Sequence, residues 1–297
     1  MNQQSRIRRI YWVTFWGAAI NVILVVLKFI AGILGHSAAM VADAIHSLSD
    51  FVTDFVVLIF VRLSNRPKDA KYAYGYGKYE TVATALIGLA LFVVGIGIMW
   101  DSGARIWRSA HGQVLEQPSV LAFWIAIASI LLKELSYQFT AYVGRKVDSQ
   151  AVIANAWHHR SDAFSSIGTA IGIGGAIILG ERWRILDPIA AAVVSLFILK
   201  VAVNLLRDAF GELTEQALPP QVEQEIIAIT SSVEDVNSVH NLRTRRIGSY
   251  YAIEMHVRID GATPLVDAHH KASEIERLLR EKFGERTFIS VHMEPNK

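Results

Sequence analysis

Six apolar stretches, at about 11–34, 38–62, 80–103, 118–143, 150–179 and 186–207, constrain this chain more than any other feature. Each reaches the roughly 20 residues that an α-helix needs to cross a ~30 Å hydrocarbon core. No water completes backbone hydrogen bonds in lipid, so such stretches fold as helices. Only 19% of the 297 residues are charged, whereas soluble domains sit nearer about 25%. The first stretch is too long for a signal-peptide core and no small-residue cleavage site follows it, so it reads as a retained span.

Lysine and arginine in the loops set the expected orientation. The amino terminus and the loops after spans two and four hold Arg6, Arg8, Arg9, Arg62, Arg66, Lys68, Lys71, Lys78, Arg145 and Lys146. The opposite side holds Arg105, Arg108, Arg182 and Arg184. This bias places both termini in the cytoplasm. The formal net charge of +2 gives no ground for a nucleic-acid partner.

Composition changes near residue 213, dividing the chain into a six-helix transmembrane domain, 1–212, and a soluble domain, 213–297. Pro219-Pro220 opens an amphipathic helix to about 232. Val239–Ile247 and Tyr251–Ile259 alternate as strands around a Gly248-Ser249 turn. A helix over 263–283 and a strand over 288–293 follow. The α-β-β-α-β order predicts a small ferredoxin-like α+β fold.

Span two carries Asp43, His46, Asp50 and Asp54. At about 100° per residue they share an arc of roughly 80°, one polar stripe on an apolar helix. His158 and Asp162 in span five repeat the spacing of His46 and Asp50. Counting ~1.5 Å per residue from Ser37 sets His46 ~13 Å deep, near mid-membrane. Titratable groups there are costly and mark ion paths. Two such i, i+4 pairs make a four-ligand cage of two nitrogens and two oxygens, suited to tetrahedral Zn²⁺. Co²⁺, Fe²⁺ and Cd²⁺ are compatible with these donors, whereas Mn²⁺ favours oxygen. Asp43 is suited either to orient His46 or to line a vestibule. Asp54 is suited either to attract the ion or to form an ion pair. His159 points roughly 100° away from His158, toward packing or water. Lys28, Lys133 and Glu134 are expected to pair across helices or reach the interface. Gly168, Gly172 and Ala176 form a small-residue face.

Metal binding needs neutral imidazole and ionised carboxylate, so it competes with protons. One site presented alternately to each side would exchange metal for protons. With no cysteine among the 297 residues, thiolate ligation is excluded and soft-metal chemistry rests on ten histidines. A closed cage without His-Glu-x-x-His argues against an enzyme. A membrane metal sensor is a further alternative, although sensing needs no carrier site at mid-membrane.

The strings Ala42-Asp43-Ala44-Ile45-His46-Ser47-Leu48-Ser49-Asp50, His158-His159-Arg160-Ser161-Asp162, Gly75-Tyr76-Gly77-Lys78-Tyr79-Glu80 and Val239-His240-Asn241-Leu242-Arg243-Thr244-Arg245-Arg246-Ile247-Gly248 resemble the cation diffusion facilitators. The resemblance covers nearly the whole chain and implies zinc/proton antiport in a bacterial inner membrane. It implies a homodimer formed through the soluble domain and tightened by metal. His240, His256, His269 and His292, with Glu294, stand at the family's cytosolic metal positions, Glu294 where Asp is frequent. Lys78 would pair with Glu215 at the domain junction. The small-residue face of span five would meet span two. Asp69, Tyr72 and Tyr76 stand where many members carry an auxiliary Asp and two His, so no metal is expected in that loop.

Overall fold

The computed structural model describes residues 3–64, 66, 68–146 and 150–296. Six long helices come first among the described residues: α1 (Gln3–Leu34), α2 (Ala38–Ser64), α3 (Lys78–Ala110), α4 (Val120–Lys146), α5 (Gln150–Ile178) and α6 (Leu186–Leu213). A 3₁₀ turn, Glu181–Trp183, leads into α6. Within the described residues, Phe15–Leu34, α3, α4 and Glu181–Leu213 are long and apolar enough to cross a membrane. The described part of α5 contributes a shorter apolar helix, Asp162–Ile178.

Contacts gather the chain into two compact units, Met1–Phe55 with Ile87–Asn204, and Val56–Leu86 with Leu205–Lys297. In the first unit α4 packs on both α5 and α1. The beginning of α2 is held by Asp187 of α6. Ser37 Oγ donates to Asp187 Oδ1 at 2.6 Å, and the amides of Ala38 and Ala39 donate to the same carboxylate at 2.7 and 3.3 Å. These amides have no partner within their own helix, so a carboxylate from another helix serves as their cap. Gly172 abuts α6: a Cβ there would lie 2.4 Å from the Ala190 Cβ. This part of the small-residue face therefore serves α5–α6 packing, where span two was the expected neighbour.

The second unit carries α7 (Pro220–Ser231), β1 (Ser238–Ile247), β2 (Tyr250–Ile259), α8 (Leu265–Phe283) and β3 (Phe288–Pro295). The sheet order is β1-β2-β3, with β1 antiparallel and β3 parallel to β2. Gly248 (φ 60°) makes the two-residue hairpin turn a side chain would strain. Ile253, Met255, Val257 and Ile259 of β2 pack with Ile226 of α7 and with Ile275 and Leu279 of α8, forming the core. Residues of opposite parity on β2 therefore face away from the helices. Asn241 adopts φ 48°, and the β1–β2 register shifts between His240 and Arg243. This bulge inverts the alternation of β1, so His240 and Ile247 share the face away from the helices despite their odd separation.

Candidate metal transport site

His46 on α2 and Asp162 on α5 line one cavity of about 710 Å³, walled by residues of α5 and α6 including Gly168, Gly172, Phe197, Lys200 and Asn204. His46 Nδ1 is buried without a hydrogen-bond partner among the described residues. An imidazole nitrogen left open beside a carboxylate-bearing cavity fits a cation ligand, since buried polar atoms otherwise find partners. Asp50 and Asp54 lie on α2 and His158 on α5, but their side chains fall outside the described residues.

Asp162 is held by Lys133 of α4, whose Nζ lies 2.5 Å from Asp162 Oδ2 and 2.8 Å from Asn21 Oδ1 of α1. The two charged side chains are 2% and 6% exposed. Asp43 sits in a second buried knot. Its Oδ2 is 2.7 Å from Lys28 Nζ and accepts a hydrogen bond from Ser166 Oγ at 3.0 Å. Lys28 also donates to Ser47 Oγ and Ser166 Oγ. Lys28 thus binds α1, α2 and α5 together, and its charge keeps Asp43 affordable in an apolar setting. His159 is buried, its ring 3.1 Å from the position of a Gly17 Cβ. Glu134 faces Arg160 at 3.5 Å. Lys200 is the wall residue that sequence reasoning missed. Its signal was plain, a lysine inside Phe197-Ile198-Leu199-Lys200-Val201.

In the second unit, His240, His256 and His292 stand in one row across the sheet, paired β1 to β2 and β2 to β3. Glu294, two residues beyond His292, reaches back to them. Its Oε2 is 3.1 Å from His240 Nε2, and its Oε1 is 2.7 Å from His256 Nδ1 and 3.9 Å from His292 Nε2. An ionised carboxylate only accepts, so His240 Nε2 and His256 Nδ1 carry the N–H. The hydrogen bond from His256 foremost, with His240 adding charge and a second bond, holds the Glu294 carboxyl below its ordinary range. One donor atom from each of His240, His256 and Glu294 lies within 4.8 Å of the others, a spacing a metal ion could bridge. His240 Nδ1 is buried without a hydrogen-bond partner among the described residues. Two nitrogens and one oxygen fit zinc. His269 is not brought to this cluster, because α8 packs on the opposite face of the sheet.

Within the same unit, Lys78 pairs with Glu215, and Arg245 Nε lies 2.9 Å from Glu215. Glu212 accepts from Thr81 Oγ1 at 2.6 Å and from the Gly248 amide at 2.5 Å. In the loop before α3, Asp69 accepts from Tyr76 Oη at 2.5 Å and from the amides of Lys71 and Tyr72. The bond to Asp69 pushes the Tyr76 phenol up to about 12. Tyr72 Oη lies 2.8 Å from Tyr79 Oη.

Residues 14–214 match the cation efflux transmembrane domain, and residues 218–296 the cation efflux protein cytoplasmic domain. The chain is 35% identical over 291 residues to metal tolerance protein C1 of Arabidopsis thaliana, covering 94% of this chain and 61% of that protein. It is 30% identical over 279 residues to the manganese efflux system protein MneP of Bacillus subtilis, covering 93% and 92%. A CzrB structure in its zinc form is 33% identical over 27% of this chain and 91% of its own, with a TM-score of 0.26. The chain belongs to the cation efflux family, whose members move metal cations rather than catalyse reactions.

Proposed function

We propose that this cation efflux protein is an antiporter that exports Zn²⁺ from the cytoplasm in exchange for protons, through His46, Asp50, His158 and Asp162. The observation that carries this reading is the open, buried His46 Nδ1 in a cavity shared with Asp162. Nitrogen donors favour zinc over manganese. The ligands bind metal only when the imidazoles are neutral and the carboxylates ionised, so loading releases protons and reprotonation expels the ion. Both termini in the cytoplasm fit the distribution of basic loop residues, and a bacterial inner membrane is the location the family resemblance implies.

The soluble domain binds a structural zinc through His240, His256 and Glu294, with His292 at its edge. His269 lies across the sheet from that cluster, so it reaches one only from a second copy, which ties metal to a homodimer. Lys78 and Glu215 lock the loop before α3 to the stretch after α6. Asp43 is a structural counter-charge to Lys28.

The relative MneP is named for manganese, which makes Mn²⁺ the competing cargo. Uptake into proteoliposomes under an imposed pH gradient, across Zn²⁺, Cd²⁺, Fe²⁺, Co²⁺ and Mn²⁺, decides between them. Zinc moving fastest, with counterflow of protons, is the expected result. Manganese moving fastest would overturn the metal, metal flux indifferent to the gradient would overturn the exchange, and no flux of any ion would favour a sensor.

A further inference from the structure

We infer that Lys133 is a tethered counter-cation that competes with the transported ion for Asp162. The inference rests on the transport-site reading above. Lys133 Nζ and a metal ion would claim the same atom, Asp162 Oδ2, which the ammonium approaches to 2.5 Å. Both groups are almost wholly buried, so solvent cannot screen their attraction. A carrier site holding two bare carboxylates would be expensive when empty and would hold a dication too firmly to let it go. A lysine on a neighbouring helix answers both problems. It neutralises Asp162 while the site is empty, and it returns to Asp162 as the ion leaves.

The ammonium also has a place to wait. Asn21 Oδ1 accepts from the same Nζ at 2.8 Å. When a dication takes Asp162 Oδ2, Asn21 still holds Lys133, which keeps one of its three donors satisfied in an apolar interior. The knot formed by Lys28, Asp43 and Ser166 differs on this point. Asp43 is held by Lys28 and Ser166, whose other hydrogen bonds among the described residues run to Ser47 and Ser129.

The two sides of this exchange are testable with opposite signs. Zn²⁺ binding to the full-length protein in detergent, with His256→Ala in every sample to silence the cytosolic site, gives the transport-site affinity, and uptake into proteoliposomes gives KM and the maximal rate. Lys133→Gln removes the competitor, so it should bind Zn²⁺ at least about tenfold tighter and turn over more slowly. Asn21→Ala removes the waiting place, so it should bind Zn²⁺ more weakly. Lys133→Arg keeps the charge and should stay near wild type in affinity. A purely structural lysine would move both variants the same way. Unchanged or weaker Zn²⁺ binding in Lys133→Gln overturns the inference. Should that variant fail to fold, unchanged or tighter binding in Asn21→Ala overturns it. Asp162→Ala separates this from the site itself. Wild-type binding there sinks the transport-site reading, while lost binding together with an inert Lys133→Gln sinks the competitor alone.

Discussion

At the scale of single residues, the intramembrane polar groups divide by what they touch. Asp43 and Lys28 neutralise each other, and Asp162 is shared between Lys133 and the cavity. Among the described residues His46 Nδ1 and Asp43 Oδ1 are both buried without a hydrogen-bond partner, and of these two residues it is His46 that lines the cavity. Its nitrogen sets the predicted preference for zinc, so His46→Asp should shift relative uptake toward Mn²⁺ by substituting a harder oxygen donor. An unchanged Zn²⁺/Mn²⁺ ratio in vesicles would show that cage geometry, not donor type, selects the ion. His46 and Asp162, which the cavity brings together, were legible because titratable residues in an apolar run are rare. The partners of Asp43 and Asp162 were not. Lys28 and Lys133 lie on other helices, and which lysine meets which aspartate depends on packing that one-dimensional spacing does not encode.

At the scale of elements, the strands and helices of the second unit follow the alternation and turn signals closely, because one face of each element must bury its apolar side. The alignment of His240 with His256 needed the structure. A strict period of two, counted back from Ile247, puts His240 on the core side, and only the bulge at Asn241 returns it to the open face. If this row holds zinc, saturating metal at a hundredfold excess should stabilise the protein by about 2.7 kcal/mol. In full-length protein carrying Asp50→Ala, to silence the transport site, His256→Ala should abolish most of the zinc-induced rise in Tm. His270→Ala should leave it intact, since His270 is an exposed residue of α8. Equal zinc stabilisation of the His256→Ala protein would withdraw the cytosolic site.

The loop before α3 makes a separate prediction. The Tyr76 phenol titrates near 12 in the folded protein and near about 10 when unfolded. A pKa raised by folding contributes stability that is complete below the unfolded value and lost as pH climbs through the folded one. The Tm advantage of wild type over Tyr76→Phe should therefore hold steady up to about pH 10 and disappear by about 12. An advantage that persists unchanged to that pH would mean that the Asp69–Tyr76 bond does not couple to folding.

For the whole molecule, the account joins two functions in one chain of the cation efflux family. A bundle of helices carries a largely apolar cavity that His46 and Asp162 reach, and a small α+β domain carries a histidine row. The architecture was readable because apolar length and strand alternation are strong, repeated signals. The cavity wall was less so, since Lys200 and Asn204 became part of it only when α6 folded beside α5. The central claim is that one intramembrane cage moves the ion. Zn²⁺ uptake by proteoliposomes reconstituted with equal, correctly inserted amounts of wild-type and Asp162→Ala protein, under the same imposed pH gradient, tests it most directly. The account predicts strong uptake by wild type and background uptake by the variant, because three remaining ligands no longer form a closed site. Wild-type flux through Asp162→Ala would contradict it.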